Sequence, residues 1–148
     1  MTTVALISWL AAASFGLFMF AIWLIEYGGN GESRLPAAVV FGHVLLAVAG
    51  LAIWIVYLIA ADDRLADAAL VILLAVAALG LTMLRRWLSV YRESTVTLTV
   101  GAAEQPGSAP ALRATPAESN FPVAVVVGHG LFAVLTVVLV LLTVFGLG

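Results

Sequence analysis

Four long apolar stretches limit the fold of this chain more than any other feature. They cover residues 3–27, 36–61, 66–91 and 121–147, and each reaches the roughly 20 residues that a membrane-spanning helix needs. Inside a bilayer every backbone N–H and C=O group needs a partner in the protein, which a helix supplies by itself. Because 64% of the residues are hydrophobic and only 9% are charged, the sequence predicts an integral membrane protein with four spanning helices.

An internal repeat contains both histidines of the chain. Residues 36–48 and 122–134 are identical at nine of thirteen positions when they are aligned without a gap. His43 and His129 stand at the same place in the two segments. The chain therefore contains two copies of one unit, with one histidine in each copy.

Each copy also contains a second, upstream helix. Six residues of the first predicted helix recur at the same spacing in the third: Gly16, Leu17, Met19, Trp23, Leu24 and Tyr27 match Gly80, Leu81, Met83, Trp87, Leu88 and Tyr91. Because a unit of two helices crosses the membrane an even number of times, both copies insert in the same orientation about a pseudo-two-fold axis. We predict one all-α membrane domain, a four-helix bundle of two parallel repeats at about 3–61 and 66–147, with its second and fourth helices on opposite sides.

The predicted connections differ in length and character. Residues 28–35 begin with glycines and asparagine and predict a turn. Residues 62–63 are two aspartates, either of which can cap the third helix. The long connection 92–120 divides into an expected strand or extended segment at 94–100 and a flexible linker at 101–120.

The basic residues predict an orientation in the membrane. All six are arginines, and five of them lie in or beside the connections 28–35 and 92–120. The positive-inside rule places both connections in the cytoplasm and both termini outside. The use of arginine without lysine, among abundant alanine, valine, leucine and glycine, is typical of a GC-rich bacterial genome and favours the bacterial inner membrane.

Composition also excludes several classes of function. The chain has no cysteine, which removes disulfides, thiolate metal sites and thiol chemistry. Its net charge of −2 provides no general attraction to nucleic acid. Little chain lies outside the bilayer, so we expect no catalytic domain and no enzyme acting alone; the expected partners are lipid and other membrane-protein subunits.

The spacing of the repeats places both histidines at one depth. Each lies seven residues after a proline that starts its helix, which is about 10 Å along a helix. Met19 and Met83 each lie eight residues before a tyrosine, Tyr27 or Tyr91, at the same membrane interface. At the same rise per residue, both methionines lie about 12 Å below that interface. Because ionisable side chains are rare at such depth, His43 and His129 are candidate functional residues. Two imidazoles across a symmetry axis suit the two faces of a b-type haem.

Neighbouring residues complete the predicted haem site. Gly42 and Gly128 precede the histidines and would leave room for a flat ligand against the backbone. Arg85 and Arg86 lie near the end of the third helix on the histidine side, where they could pair with haem propionates. Snorkelling to the membrane surface is the simpler role for these arginines.

One histidine on the second helix and one on the fourth, at matched depth, resembles the small b-type cytochrome membrane subunits of respiratory oxidoreductases. The resemblance covers helix order and two residues, and it implies haem b and electron transfer. Two other interpretations stay open. The chain could be a cofactor-free accessory or scaffolding subunit of a larger membrane complex, with the histidines used for packing, or His43, His129, Met19 and Met83 could bind copper.

Overall fold

The computed structural model describes residues 1–30, 32–101 and 116–147, and this part of the chain is helical apart from its connections. The helices are α1 (Thr2–Asn30), α2 (Ala37–Ala60), α3 (Asp63–Gly101) and α4 (Val123–Val144), with a short 3-10 helix (Ala117–Asn120) before α4. All four α-helices are long and apolar enough to cross a membrane. The predicted all-α membrane bundle is confirmed.

The starts of α2, α3 and α4 follow from the residues that precede them. Pro36 and Pro122 occupy the N-cap positions of α2 and α4, and each proline carbonyl accepts two amide hydrogen bonds from the first turn. Proline itself has no N–H that a helix start would leave unpaired. At the start of α3, the Asp62 carboxylate accepts a hydrogen bond of 3.1 Å from the Arg64 amide, which confirms the predicted aspartate cap.

The predicted connections 28–35 and 92–120 both start too early, because α1 and α3 extend into them. Residues 28–30 belong to α1 rather than to a turn, because a glycine weakens a helix interior by about 1 kcal/mol without ending a helix that has already formed. Residues 94–100, predicted as a strand or extended segment, continue α3. Their alternation of threonine with valine and leucine favours a strand only beside a partner strand, and the described residues contain none. A helix pairs the same backbone groups internally.

The end of the predicted flexible linker is ordered against the first connection. Glu118 in the 3-10 helix is fully buried. Its carboxylate accepts hydrogen bonds from the Arg34 amide at 2.8 Å and the Ser33 hydroxyl at 2.9 Å, and the Trp23 indole donates to Ser33 Oγ at 3.0 Å. Residues 102–115 of the linker lie outside the described residues.

The helices form two tight antiparallel pairs, each of which joins the two repeats. α2 packs along α3, and α4 packs along α1, whereas α1 meets α2 and α3 meets α4 over shorter stretches. The second and fourth helices therefore lie diagonally opposite each other, as the pseudo-two-fold axis predicts.

Most of the buried core belongs to two clusters at opposite ends of the bundle. The terminal cluster, at the end that holds the N-terminus, contains Ala5, Trp9, Trp54, Ala66, Ala69, Leu70, Leu73, Leu139 and Val140. The loop cluster, beside the 3-10 helix, contains Trp23, Leu35, Val40 and Ala117. Large apolar side chains remain exposed on the outer faces of all four helices, as expected for surfaces that contact lipid. The histidines lie between the two clusters.

Candidate functional site

The two histidines face each other inside the bundle. His43 on α2 and His129 on α4 each lie six residues after the first residue of their helix. Their ring centroids are 6.2 Å apart, and the ring planes make an angle of 61°. Both side chains are half-buried. The structure thus brings together the two residues that the repeat had made equivalent.

Each imidazole is anchored to the other helix of its own tight pair. His43 Nδ1 lies 3.0 Å from the Val76 carbonyl oxygen on α3, and His129 Nδ1 lies 2.8 Å from the Ala12 carbonyl oxygen on α1. Since a carbonyl only accepts, Nδ1 of a neutral ring carries the proton and donates it, which leaves Nε2 unprotonated. This is the tautomer that can ligate a metal through Nε2, with the carbonyl fixing the orientation of the ring.

A glycine leaves the space that each imidazole occupies. Gly16 on α1 and Gly80 on α3 each follow the anchoring carbonyl residue by four positions, one helical turn. A Cβ atom added at Gly16 would lie 3.1 Å from Cε1 of His129, and one added at Gly80 would lie 3.2 Å from Cε1 of His43. Both distances are shorter than ordinary van der Waals contact, so a larger residue would displace the ring. We call each carbonyl and glycine together an imidazole seat.

The glycines that precede the histidines lie beside residues of the neighbouring helices. A Cβ atom added at Gly128 would lie 3.3 Å from the ring of Phe15, and one at Gly42 would lie 3.9 Å from Leu79 Cδ1. Phe15 belongs to α1 and Leu79 to α3. Both glycines therefore stand at contacts within the tight helix pairs, where small residues permit close approach.

The two arginines of the predicted site reach toward the loop end of the bundle. Arg86 Nη1 donates a hydrogen bond of 3.1 Å to the Arg34 backbone carbonyl, and both Arg85 and Arg86 are exposed. Among the described contacts none joins either arginine to a histidine. The observed position of Arg86 matches snorkelling of a long cationic side chain to the interface.

Met83 has a packing contact, and both methionines are half-buried. Met83 packs against the loop cluster, and Met19 is half-buried on α1. An unbranched thioether adapts well to irregular gaps in a core. Within residues 1–30, 32–101 and 116–147, no three His, Asp or Glu side chains converge on a possible metal position.

The buried residues that touch the imidazoles are small. Ala12 and Val76, which provide the anchoring carbonyls, are 6% and 8% exposed, and the seat glycines are half-buried. Trp54 and Trp23, two of the largest fully buried side chains, belong to the terminal cluster and the loop cluster on either side. The seats therefore hold the imidazoles against small residues.

The imidazole seats were not predicted, although one signal for them was present. Gly16 and Gly80 are repeated positions, which marked them as equivalent to each other. Their contact with the histidines depends on the pairing of α1 with α4 and of α2 with α3, which hydropathy does not reveal.

No family model matches this chain, and neither does any curated protein or solved structure.

Proposed function

We propose that this chain binds one b-type haem between His43 and His129 and acts as an electron-transfer, cytochrome-like subunit of a respiratory or other redox membrane complex. The observation that carries the proposal is the pair of facing imidazoles, each with Nδ1 held by a backbone carbonyl. In haem proteins the axial ligand sets the chemistry of the iron, and histidine is a common one. Helix bundles build cofactor sites from side chains on facing helices.

The spacing of the rings fits one metal ion between them. A metal ion lies about 2 Å from a ligating imidazole nitrogen and the ring centre about 1 Å further, so two trans imidazoles hold their centres about 6 Å apart. The observed centroid distance is 6.2 Å. This distance supports a metal ion held between the two rings.

The arrangement of the helices indicates where a planar group between the histidines would lie. Each ring touches both helices of its tight pair, so the line between the rings runs from one pair to the other. The two pairs contact each other over shorter stretches than the helices within a pair. A macrocycle between the pairs leaves both tight pairs intact.

Two histidine ligands favour electron transfer over catalysis at the iron. When bound, the haem would take up and release one electron. Because His43 and His129 would both ligate the iron, no position would remain open for a substrate. The surrounding apolar helices would keep water away from a bound haem, and the carbonyl anchors hold each ring in one orientation.

The proposal includes an orientation in a bacterial inner membrane. Arg34, Arg85, Arg86 and Arg92 lie at the loop end of the bundle, and Arg64 lies at the opposite end. Positively charged residues concentrate on the cytoplasmic side of membrane proteins. The end that holds the 3-10 helix then faces the cytoplasm.

Absorption spectra of the protein purified from haem-replete cells test the proposal. We expect a Soret band that shifts on reduction, and we expect it to be lost in both His43→Ala and His129→Ala. A colourless wild-type protein would overturn the haem assignment. Co-purification of a stable partner that is indifferent to both substitutions would then support the scaffolding role. Bound copper that is lost in Met19→Leu would support the copper site instead.

A further inference from the structure

We infer that the histidine site exchanges electrons with one face of the membrane only, the face at the loop end of the bundle; this inference rests on the proposed haem. His43 lies six residues after Ala37 and seventeen before Ala60. At 1.5 Å per residue these separations are about 9 Å and about 26 Å. The site is therefore strongly displaced from the middle of its helix.

The second histidine has the same displacement. His129 lies six residues after Val123 and fifteen before Val144, or about 9 Å and about 22 Å along α4. Since α2 and α4 both begin at the loop end, the two measurements agree on which face is near. The rate of electron transfer through protein falls exponentially with distance, so the near face dominates.

The far side of the site is thick, and among the described residues it contains no second pair of histidines. The terminal cluster fills it, with Trp54 fully buried and Trp9 3% exposed. The chain has only two histidines, and both belong to the site already described. A second bis-histidine group within this chain, which would be needed to carry electrons on to the terminal face, is therefore excluded.

The loop cluster and the 3-10 helix lie between the histidines and the loop end of the bundle, and hydrogen bonds hold the 3-10 helix in place. Trp23 of the loop cluster stacks on Tyr27 at a centroid distance of 4.7 Å, and Tyr27 is 38% exposed at the surface. The hydrogen bonds of Glu118 to Ser33 and Arg34 hold the 3-10 helix against this end. A water-soluble electron carrier or an extramembrane redox domain that docks here approaches the site at a set distance. This is the class of partner that the inference assigns.

The experiment measures haem reduction from each side of a sealed vesicle. Because the chain has no cysteine, Glu32→Cys on the exposed first connection introduces a single label at the loop end. Labelling of proteoliposomes with a membrane-impermeant maleimide gives the fraction of molecules whose loop end faces outward. Dithionite, a membrane-impermeant reductant, is then added outside, and the change of the haem band is followed with time.

The expected result is a fast phase whose amplitude equals the labelled fraction, at least tenfold faster than any remaining phase. The remaining haem is reduced at the fast rate once detergent opens the vesicles. A fast phase that equals the unlabelled fraction, or a single fast phase for all molecules, overturns the inference. So does slow reduction from both sides combined with fast reduction by a membrane-soluble quinol, which would place electron entry within the bilayer. A wild-type protein without a haem band refutes the proposed function before any reductant is added, so the two failures are distinguishable.

Discussion

Replacement of Gly16 by alanine is the sharpest test of the imidazole seat, because the chain offers a matched control. The added Cβ atom lies 3.1 Å from Cε1 and 3.3 Å from Nδ1 of His129. At Gly130, on the same helix as that histidine, an added Cβ atom meets nothing within 4 Å. Both substitutions place the same methyl group in a membrane helix, and only one of them contacts an imidazole.

The size of the effect follows from two opposing contributions. Alanine is favoured over glycine in a helix interior by about 1 kcal/mol, and Gly130→Ala gains this stability in full. Gly16→Ala gains the same amount but also overpacks the seat, which costs about 1–3 kcal/mol. The ring cannot move away without lengthening its 2.8 Å hydrogen bond to the Ala12 carbonyl. We therefore expect Gly16→Ala to be less stable than Gly130→Ala by about 1–3 kcal/mol.

Haem affinity provides the readout that a purely structural role would leave unchanged. Disturbing a group that orients a metal ligand costs roughly 10–100-fold in affinity, and we expect a loss of this size for Gly16→Ala in titrations of the apoprotein followed at the Soret band. Gly80→Ala repeats the test in the second copy, with its added Cβ atom 3.2 Å from His43. If Gly16→Ala matched Gly130→Ala in both affinity and unfolding, the seat would have no role in holding the ring.

Three further predictions concern the polar contacts of the bundle. Thr136→Val removes a buried hydroxyl that bonds to a serine hydroxyl of α1 at 2.9 Å, and we expect a loss of about 0.6 kcal/mol in reversible unfolding in detergent, the average for such bonds in membranes. Glu118→Gln removes the charge of a fully buried acceptor and should destabilise the protein by about 1–3 kcal/mol, whereas the exposed equivalent Glu32→Gln should leave the thermal midpoint unchanged. The hydrogen bond and charge of Glu93 raise the pKa of Arg34 above its ordinary value, so the guanidinium stays charged until strongly alkaline pH. We therefore expect the 2.7 Å ion pair between Arg34 and Glu93 to persist from pH 6 to 9. A change of stability across that range that disappears in Arg34→Ala would contradict this expectation.

The four helices were predictable because hydropathy and length are local properties of the chain. Each apolar run appears in the structure as one helix, and the ends shift by at most three residues except at the end of α3, which lies ten residues beyond the predicted residue 91. The errors arose where the secondary structure of a segment depends on neighbouring elements as well as on its own composition. Residues 94–100 have the composition of a strand, but without a neighbouring strand their backbone groups find partners only in a continued helix.

The equal depth of His43 and His129 in the membrane was predictable from the repeat, but the contacts that hold the two rings facing each other were not. Equal spacing from the two prolines gave the two histidines one level along the axis, whereas the seats depend on which helices form the tight pairs. The buried carboxylate Glu118 was also missed, although Glu32 and Glu118 each stand four residues before a proline, followed by serine. Extending the alignment of the two repeats to these residues makes Glu32 and Glu118 equivalent. Only Glu118 is buried, because the 3-10 helix turns it toward the first connection.

A comparison of the two copies with each other shows where the chain is constrained. Below the histidines, Thr136 uses a hydroxyl contact with α1, while the equivalent position of the other copy is Gly50, against which Trp9 packs. Helix contacts thus tolerate different solutions in the two copies. The imidazole seats differ far less: a carbonyl, a glycine one turn later and a histidine recur in both, with hydrogen bonds of 2.8 and 3.0 Å. The helix contacts have diverged between the copies while the two seats have kept the same chemistry, and this is what the proposed ligand between His43 and His129 would need.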